Sequence, residues 1–571
     1  MNNINRVILW CLLLAFCQIG TAQIIDDTQT EFLKPFRAKL AKSKKFEAAP
    51  LLPKLDTNAN KKLNYVVPTH LSTLAYPAPV IRPLAMPKAK DAPVYSFYAK
   101  AGFGYPLSPL VELSYYNKDI NNLKFGLNAR HHSVIQGYLP NQSFTKTHFD
   151  ANATYFTQKN LAVGARFEFN FNTNRFYGFT DSIETITISE DSMRQRFVDV
   201  KGNINLFNST INKANFNYRG DIDFYSYSDA FGSSEFSLTP NIMIEKWFGK
   251  SKNRHPLRLN VGLNYLSFDD VPITIDSTTT TATKSIFLFY FHPTFTVNAG
   301  DFKARLGVNL GVNEGNFFIH PDVELSYSIA EGAFIPYAGA VGQVRQNSFR
   351  SLTYYNRFLV SNPELHHTNY LELFGGLKGS IKKIGYDVKA GYAITQNLPY
   401  FLNDTSDSLA QFSRFRPVYD TTGIVFVRGT LDFRLLKDLV VGGTIGYNIY
   451  NTKNYEKAFH LPTFESNFFI TYNMYFNGKK SKPKKGGRRD SNYLSLKAEL
   501  FVNAGVPYLD ETNTVKVLQG LYDFSFNIRY QVSPNFALFA DLNNIIHNQN
   551  QRWYLYRQLG FNGMVGLELK F

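Results

Sequence analysis

The sequence predicts an all-β protein: a transmembrane antiparallel β-barrel of about 22 strands, preceded by a short N-terminal periplasmic arm. Three observations carry that expectation. Segments of strict apolar and polar alternation recur from residue 94 to the end, and a period of two belongs to strands with one apolar face. The polar positions in those segments hold charged and amide side chains along the full strand, which suits a wide wet lumen better than the surface of a sandwich. Finally, the 571 residues include 51 Phe and 35 Tyr, yet mean hydropathy is -0.23 and no apolar run reaches the ~18 residues of a membrane helix.

The chain opens with Arg6, an apolar run from Val7 to Phe16, and the small residues Gly20, Thr21 and Ala22 before Gln23. This pattern marks residues 1–22 as a cleavable secretory signal peptide. The competing reading lipidates Cys17, and the bulky Phe16 in front of it argues against that. Cys11 and Cys17 are the only two cysteines, so the exported chain is expected to hold no thiol, disulfide or cysteine metal site.

Residues 23–93 show no sustained period. Pro35, Pro50, Pro53, Pro68, Pro77, Pro79, Pro83, Pro87 and Pro93 punctuate them, and Lys34, Arg37, Lys39, Lys42, Lys44 and Lys45 crowd the first part. The composition predicts an extended periplasmic arm. Leu71, Leu74, Ile81, Leu84 and Met86 form an apolar, proline-set stretch that is a candidate to thread into the lumen as a reduced plug; a plain tether is the competing reading.

Residues 94–571 are the predicted barrel. Phe302, Ala304, Leu306, Val308, Leu310 and Val312 alternate without a break with Lys303, Arg305, Gly307, Asn309, Gly311 and Asn313. Leu257 to Tyr265, Leu161 to Phe171 and Tyr522 to Tyr530 repeat the pattern, and about 22 such runs can be counted, an even number as bacterial barrels require. Connections alternate between short ones, such as 159–160, 300–301, 437–438 and 533–535, and longer ones at 180–193, 269–283, 348–368 and 403–417. Short periplasmic turns and longer outer loops are the expected asymmetry.

One presumed inner turn carries Lys479, Lys480, Lys482, Lys484, Lys485, Arg488 and Arg489 with only Asp490 against them. It is either a solvated turn or a periplasmic docking patch for an acidic partner or anionic surface. The net charge of +16 belongs to an exported chain, so outer-membrane lipid headgroups and acidic proteins are the expected counter-charges, and no nucleic acid.

No catalytic, cofactor or metal constellation is found, so neither an enzyme nor a cofactor is expected. His131 with His132 and His366 with His367 are adjacent, and neighbours along a strand point to opposite faces. Gly442, Gly443 and Gly446 lie in a strand pattern and are no nucleotide loop. Asp150, Asp199 and Glu568 fall on separate strands, and the sequence alone cannot pair them.

In the last segment Phe561, Val565, Leu567, Leu569 and Phe571 share one face and Met564, Gly566, Glu568 and Lys570 the other. The ending Leu567, Leu569, Phe571 resembles the signal by which outer-membrane barrels are recognised for insertion. Just upstream, Leu538 to Ile546, then Trp553, Tyr554 and Tyr556, then Gly560 and the closing strand resemble the last hairpin of TonB-dependent receptor barrels. Asn362, Pro363, Glu364 and Leu365, followed by Asn369 to Leu373 and Gly375, resemble a loop-and-strand segment midway along those barrels. The resemblance implies a 22-stranded barrel with a plugged lumen in a Gram-negative outer membrane. It covers the barrel only: the larger globular plug of those receptors has no counterpart in 23–93, and no TonB-binding box stands near Gln23.

The plugless barrel and its basic periplasmic segments together predict a membrane subunit of a multiprotein outer-membrane machinery for assembly, secretion or scaffolding, its lumen occupied by the arm or a protein partner. The alternative is an outer-membrane transporter or receptor for a small-molecule or peptide substrate, with the arm as a reduced plug.

Overall fold

The structure is a computed structural model that describes residues 95–117, 121–178, 193–210, 214–249, 253–271, 273–275, 278–404, 414–476 and 492–571. The predicted signal peptide, the arm with Leu71, Leu74, Ile81, Leu84 and Met86, and the basic turn from Lys479 to Arg489 lie outside the described residues. From Phe97 onward a single 22-stranded antiparallel sheet forms, each strand pairing with its neighbours in the chain. The first strand, Phe97–Tyr105, also pairs with the last, Asn562–Lys570, in a continuous register from Tyr98 opposite Lys570 to Tyr105 opposite Gly563. That pairing closes the sheet into a barrel and leaves no free edge to recruit another chain.

Register decides which side chains meet water and which meet lipid. Glu112, Arg130, His148, Asn170, Asp199 and Tyr227 are successive partners across six strands and form one row inside the lumen. Displaced by one residue, Val111, Ala101, Leu567 and Leu538 form the matching row on the outer wall. Outer-wall residues such as Val565 and Phe317 are 63% and 66% exposed. So wide an apolar belt would be costly against water and is stable against acyl chains. Phe97, Tyr115, Tyr155, Phe302, Tyr327 and Phe571 sit at the inner ends of their strands, where an aromatic girdle meets the headgroups.

The lumen charges left unassigned by sequence find partners across strands. Asp150 takes Arg166 at 2.8 Å, and Glu568 takes Arg529 at 2.7 Å. Such cross-strand pairs hold register on the polar face, where packing cannot. Inner turns are tight: Asn160 and Gly300 adopt the left-handed conformation, with φ of 60° and 61°. Within the wall Gly443 makes room for an aromatic neighbour, since a Cβ there would fall 2.4 Å from the Phe468 ring. The connection between Phe302–Asn313 and Asn316–Tyr327 is only two residues at the outer end, and the long connection 346–367 is not a loop in water at all.

Candidate functional site

Segment 346–367 leaves the strand Ile335–Arg345 at the outer end and folds across the mouth. Its core is a seven-residue helix, α1 (Phe349–Tyr355), started by a capping box in which Ser348 and Ser351 satisfy each other's backbone N–H. Helical spacing places Phe349, Leu352 and Thr353 on one buried face. The two leading amides of the helix, Phe349 N–H and Arg350 N–H, donate to the Glu235 carboxylate at 2.5 and 3.2 Å, so a residue of the strand Ser234–Phe248 satisfies the helix start.

Arg350 carries the main polar attachment. Its Nε and Nη2 donate to the two oxygens of Asp199 at 3.0 and 3.1 Å, and Tyr354 Oη donates to the same carboxylate at 2.8 Å. Both ends are buried, with Arg350 side-chain exposure of 7% and Asp199 of 0%, so the fork is shielded from competing water. Burial pulls the Arg350 guanidinium down to about 10. Farther along, Ser233 Oγ donates to the Ser361 carbonyl at 2.5 Å, and Ser361 Oγ donates to Asp229. Lys284 Nζ donates to the Leu365 carbonyl.

Aromatic packing binds this segment to the other outer loops. A small hairpin, Gln551–Trp553 with Tyr556–Arg557, reaches in from the loop before the closing strand. Tyr556 stacks on Phe358 with centroids 3.5 Å apart, and Tyr177 stands edge-on to Tyr556 at 5.0 Å. Trp553 contacts Tyr355, Phe401 and Phe415 at 5.2–5.5 Å and stacks on His460 at 5.3 Å. Phe176, Phe349, Leu359, Leu365, Phe401 and Phe415 are at most 1% exposed. The outer loops therefore meet in one aromatic cluster above the lumen: a cap made by the barrel itself.

Two histidines are sealed into this cap. His460 is wholly buried, its Nδ1 beside the Phe401 carbonyl at 2.7 Å, and burial drives its pKa down to about 3. His367, beside Asn313 Oδ1 at 2.9 Å, is pushed down to about 4 by the same cause. Its neighbour His366 faces Glu314 at 3.5 Å, and His131 and His132 contact Thr147 and Ser108 separately. Each imidazole has its own partner, and no group of three metal-ligating side chains occurs among the described residues.

Beneath the cap lies a lumen cavity of about 630 Å³, bounded above by Tyr354, Tyr355, Leu461 and Arg552 and at the sides by the strands from Arg305 to Phe501. Its wall carries Tyr337, Tyr370, Phe374 and Tyr450, with six cationic side chains against four carboxylates. A concave site of this size and mixed lining can hold a small organic solute.

No protein-family model matches the chain, and no curated protein matches it in sequence. Solved structures do match. The siderophore receptor PiuA of Acinetobacter baumannii superposes with a TM-score of 0.60 at 9% identity, covering 84% of this chain and 82% of that one. The pyoverdine outer-membrane receptor FpvA of Pseudomonas aeruginosa gives 0.60 at 12%, covering 84% and 80%. The ferric-catecholate import receptor Fiu of E. coli gives 0.61 at 10%, covering 84% and 82%. The fold is that of the TonB-dependent receptor barrel. The chain shares with them a closed 22-stranded outer-membrane barrel with an apolar outer belt. The expectation of a subunit of an assembly or secretion machinery is overturned, because the barrels that share this architecture are receptors and importers. A plugless barrel read from sequence calls for an outside partner to fill it; the cap shows that the receptor-like barrel supplies its own outer closure. These neighbours are receptors and not enzymes.

Of the residues singled out from sequence, Leu567, Leu569 and Phe571 all lie on the lipid-facing side of the closing strand. Leu567 and Leu569 stand opposite Ala101 and Ala99, and Phe571 is exposed beside Phe97 with ring centroids 6.4 Å apart. They are not near the cavity. The cap residues were missed because long connections read as polar outer loops, yet Phe349, Leu352, Phe358, Leu359, Val360 and Leu365 are too many large apolar residues for a loop in water.

Proposed function

We propose that this TonB-dependent-receptor-like barrel is an outer-membrane receptor and transporter for a small solute, with the outer loops as its extracellular gate and residues 23–93 as a reduced plug. The observation that carries this reading is the lumen cavity lying directly beneath a self-made cap. Outer loops held across the mouth by one ion pair, a few hydrogen bonds and aromatic contacts can open and close, whereas the surrounding hydrogen-bonded wall cannot. The importer fold of the structural neighbours supports the same direction of use.

Single-channel recording in planar bilayers tests it. Deleting residues 23–93 should raise the conductance, and excising 349–360 from the cap as well should give a wide ohmic pore. A trace unchanged by the first deletion would remove the plug role from the arm. Unchanged conductance after both would sink the gate.

A further inference from the structure

The cavity beneath the cap holds charges that the lumen itself does not neutralise. Its four carboxylates are taken: Glu372 by Lys389, by Arg428 at 3.3 Å and by Tyr370 Oη at 2.6 Å; Glu324 by Arg305 at 3.4 Å and Lys378 at 3.5 Å; Asp387 by Tyr337 Oη at 2.5 Å; and Glu465 by Asn503 Nδ2 at 2.7 Å. Two arginines in the same cavity are held differently. The Arg345 guanidinium lies 3.5 Å from the centroid of the Tyr370 ring, and Arg552 lies 5.6 and 5.2 Å from the rings of Tyr355 and Trp553. Stacking fixes the planes of these groups, and although Arg552 Nη2 donates to Tyr355 Oη at 3.3 Å, other N–H groups are left to donate. Arg345 Nε and Arg552 Nη1 are buried and have no hydrogen-bond acceptor among the described residues. A buried donor of a charged group left without an acceptor is costly, and in a cavity of about 630 Å³ an incoming oxyanion relieves that cost.

We propose that Arg345 and Arg552 form a binding site for a small organic anion, a carboxylate or phosphate ester, whose flat body packs against the tyrosines of the cavity. The two arginines come from different parts of the gate: Arg345 ends the strand that leads into the cap segment, and Arg552 stands on the hairpin that packs against it. An anion bridging them therefore ties wall to cap. Cargo occupancy and closure become one event, because an anion that touches both arginines binds the closed arrangement better than any arrangement with the hairpin withdrawn.

The proposal deepens the transporter reading by naming its class of solute. Isothermal titration of the detergent-purified full chain with phenyl phosphate and with benzoate, and with benzylamine as the cationic counterpart, tests it. Both anions should bind and benzylamine should not. Arg345→Gln and Arg552→Gln should each weaken binding about tenfold, while Arg130→Gln, an exposed lumen arginine outside the cavity, should leave it unchanged. Arg552 stands on a loop, so its variant remains informative should Arg345→Gln fail to insert. Equal binding of benzylamine, no binding of either anion, or a loss in Arg130→Gln as large as in the cavity variants would overturn the site. Anion binding without solute passage into liposomes would end the transporter reading and leave the site standing, whereas passage without anion binding would do the reverse.

Discussion

Acid should open the cap, and the size of the effect follows from its two buried imidazoles. His460 titrates near 3 and His367 near 4 in the closed cap, both held down by burial from an ordinary 6.5. A base whose pKa is depressed by folding stabilises the closed form fully above about pH 6.5 and loses that contribution as pH falls toward 4, because the opened form binds the proton more tightly. At about pH 5 an opened, solvated histidine gains about 2 kcal/mol from protonation that the closed one cannot, so two give about 4 kcal/mol. The cap's opening constant should then rise on the order of a thousandfold between about pH 7.5 and 5. Hydrogen exchange read by mass spectrometry on peptides covering 453–463 and 355–367, corrected for the intrinsic pH dependence of exchange, measures that constant directly. Barrel-strand peptides should show no such change. His460→Phe should remove about half of the pH-dependent free energy, since the phenyl ring can keep the stacking on Trp553 without the titration. Equal protection of the cap peptides at both pH values would refute the reasoning.

Two further predictions concern the cap and the closing strand. Arg350→Ala strips the guanidinium fork from buried Asp199 and leaves it only Lys201, itself paired with Glu168, as a nearby cation, and breaking a buried pair from one side costs about 3–5 kcal/mol. Exchange in 349–360 should accelerate accordingly, with the barrel still migrating as a compact species on an unheated gel; a slower or unchanged exchange would mean that aromatic packing alone holds the cap. Deleting Phe571, or replacing it with Asp, should lower the amount of protein recovered in the outer membrane by fractionation, and undiminished recovery would deny the C-terminal aromatic a part in insertion.

The wall was legible in the sequence because its physics is local. Alternation at Phe302 to Asn313 needs only a period of two and a solvent on each side, and it survives intact as lipid-facing and lumen-facing rows. The seam between Phe97–Tyr105 and Asn562–Lys570 is less local, yet an even count of such strands forces it. The cap is another matter. Arg350 meets Asp199 across 151 positions of sequence, and Tyr556 meets Phe358 across nearly two hundred, so no window of residues contains the pairing. Only composition hinted at it, through the apolar content of 349–365. Arg345 and Arg552 were invisible for the same reason: their significance lies in the acceptors they lack, which becomes apparent only when every neighbouring carboxylate has been assigned.

The location of the cap also constrains how such a barrel could work. A lumen ringed by 22 strands is too wide to discriminate by its wall alone, so selectivity must come from something that crosses it. Here the crossing element is anchored on one side by Arg350 and Asp199 and on the other by the Tyr556 and Phe358 stack. The ion pair is directional and salt-insensitive while buried, and the stack is apolar and tolerant of sliding. Opening by withdrawal of the 551–557 hairpin would break its aromatic contacts and the hydrogen bonds from Gln142 and Tyr177 to the Arg557 carbonyl, from Arg552 to Tyr355 Oη and from the Tyr554 N–H to His460, and would carry Arg552 away from Arg345, whereas opening by release of α1 would break the buried fork between Arg350 and Asp199. The first route breaks no buried ion pair, so the hairpin is expected to move before α1 does. A disulfide joining α1 to the wall beside Asp199 should leave solute passage intact, and one joining the hairpin to segment 355–360 should block it until reduced.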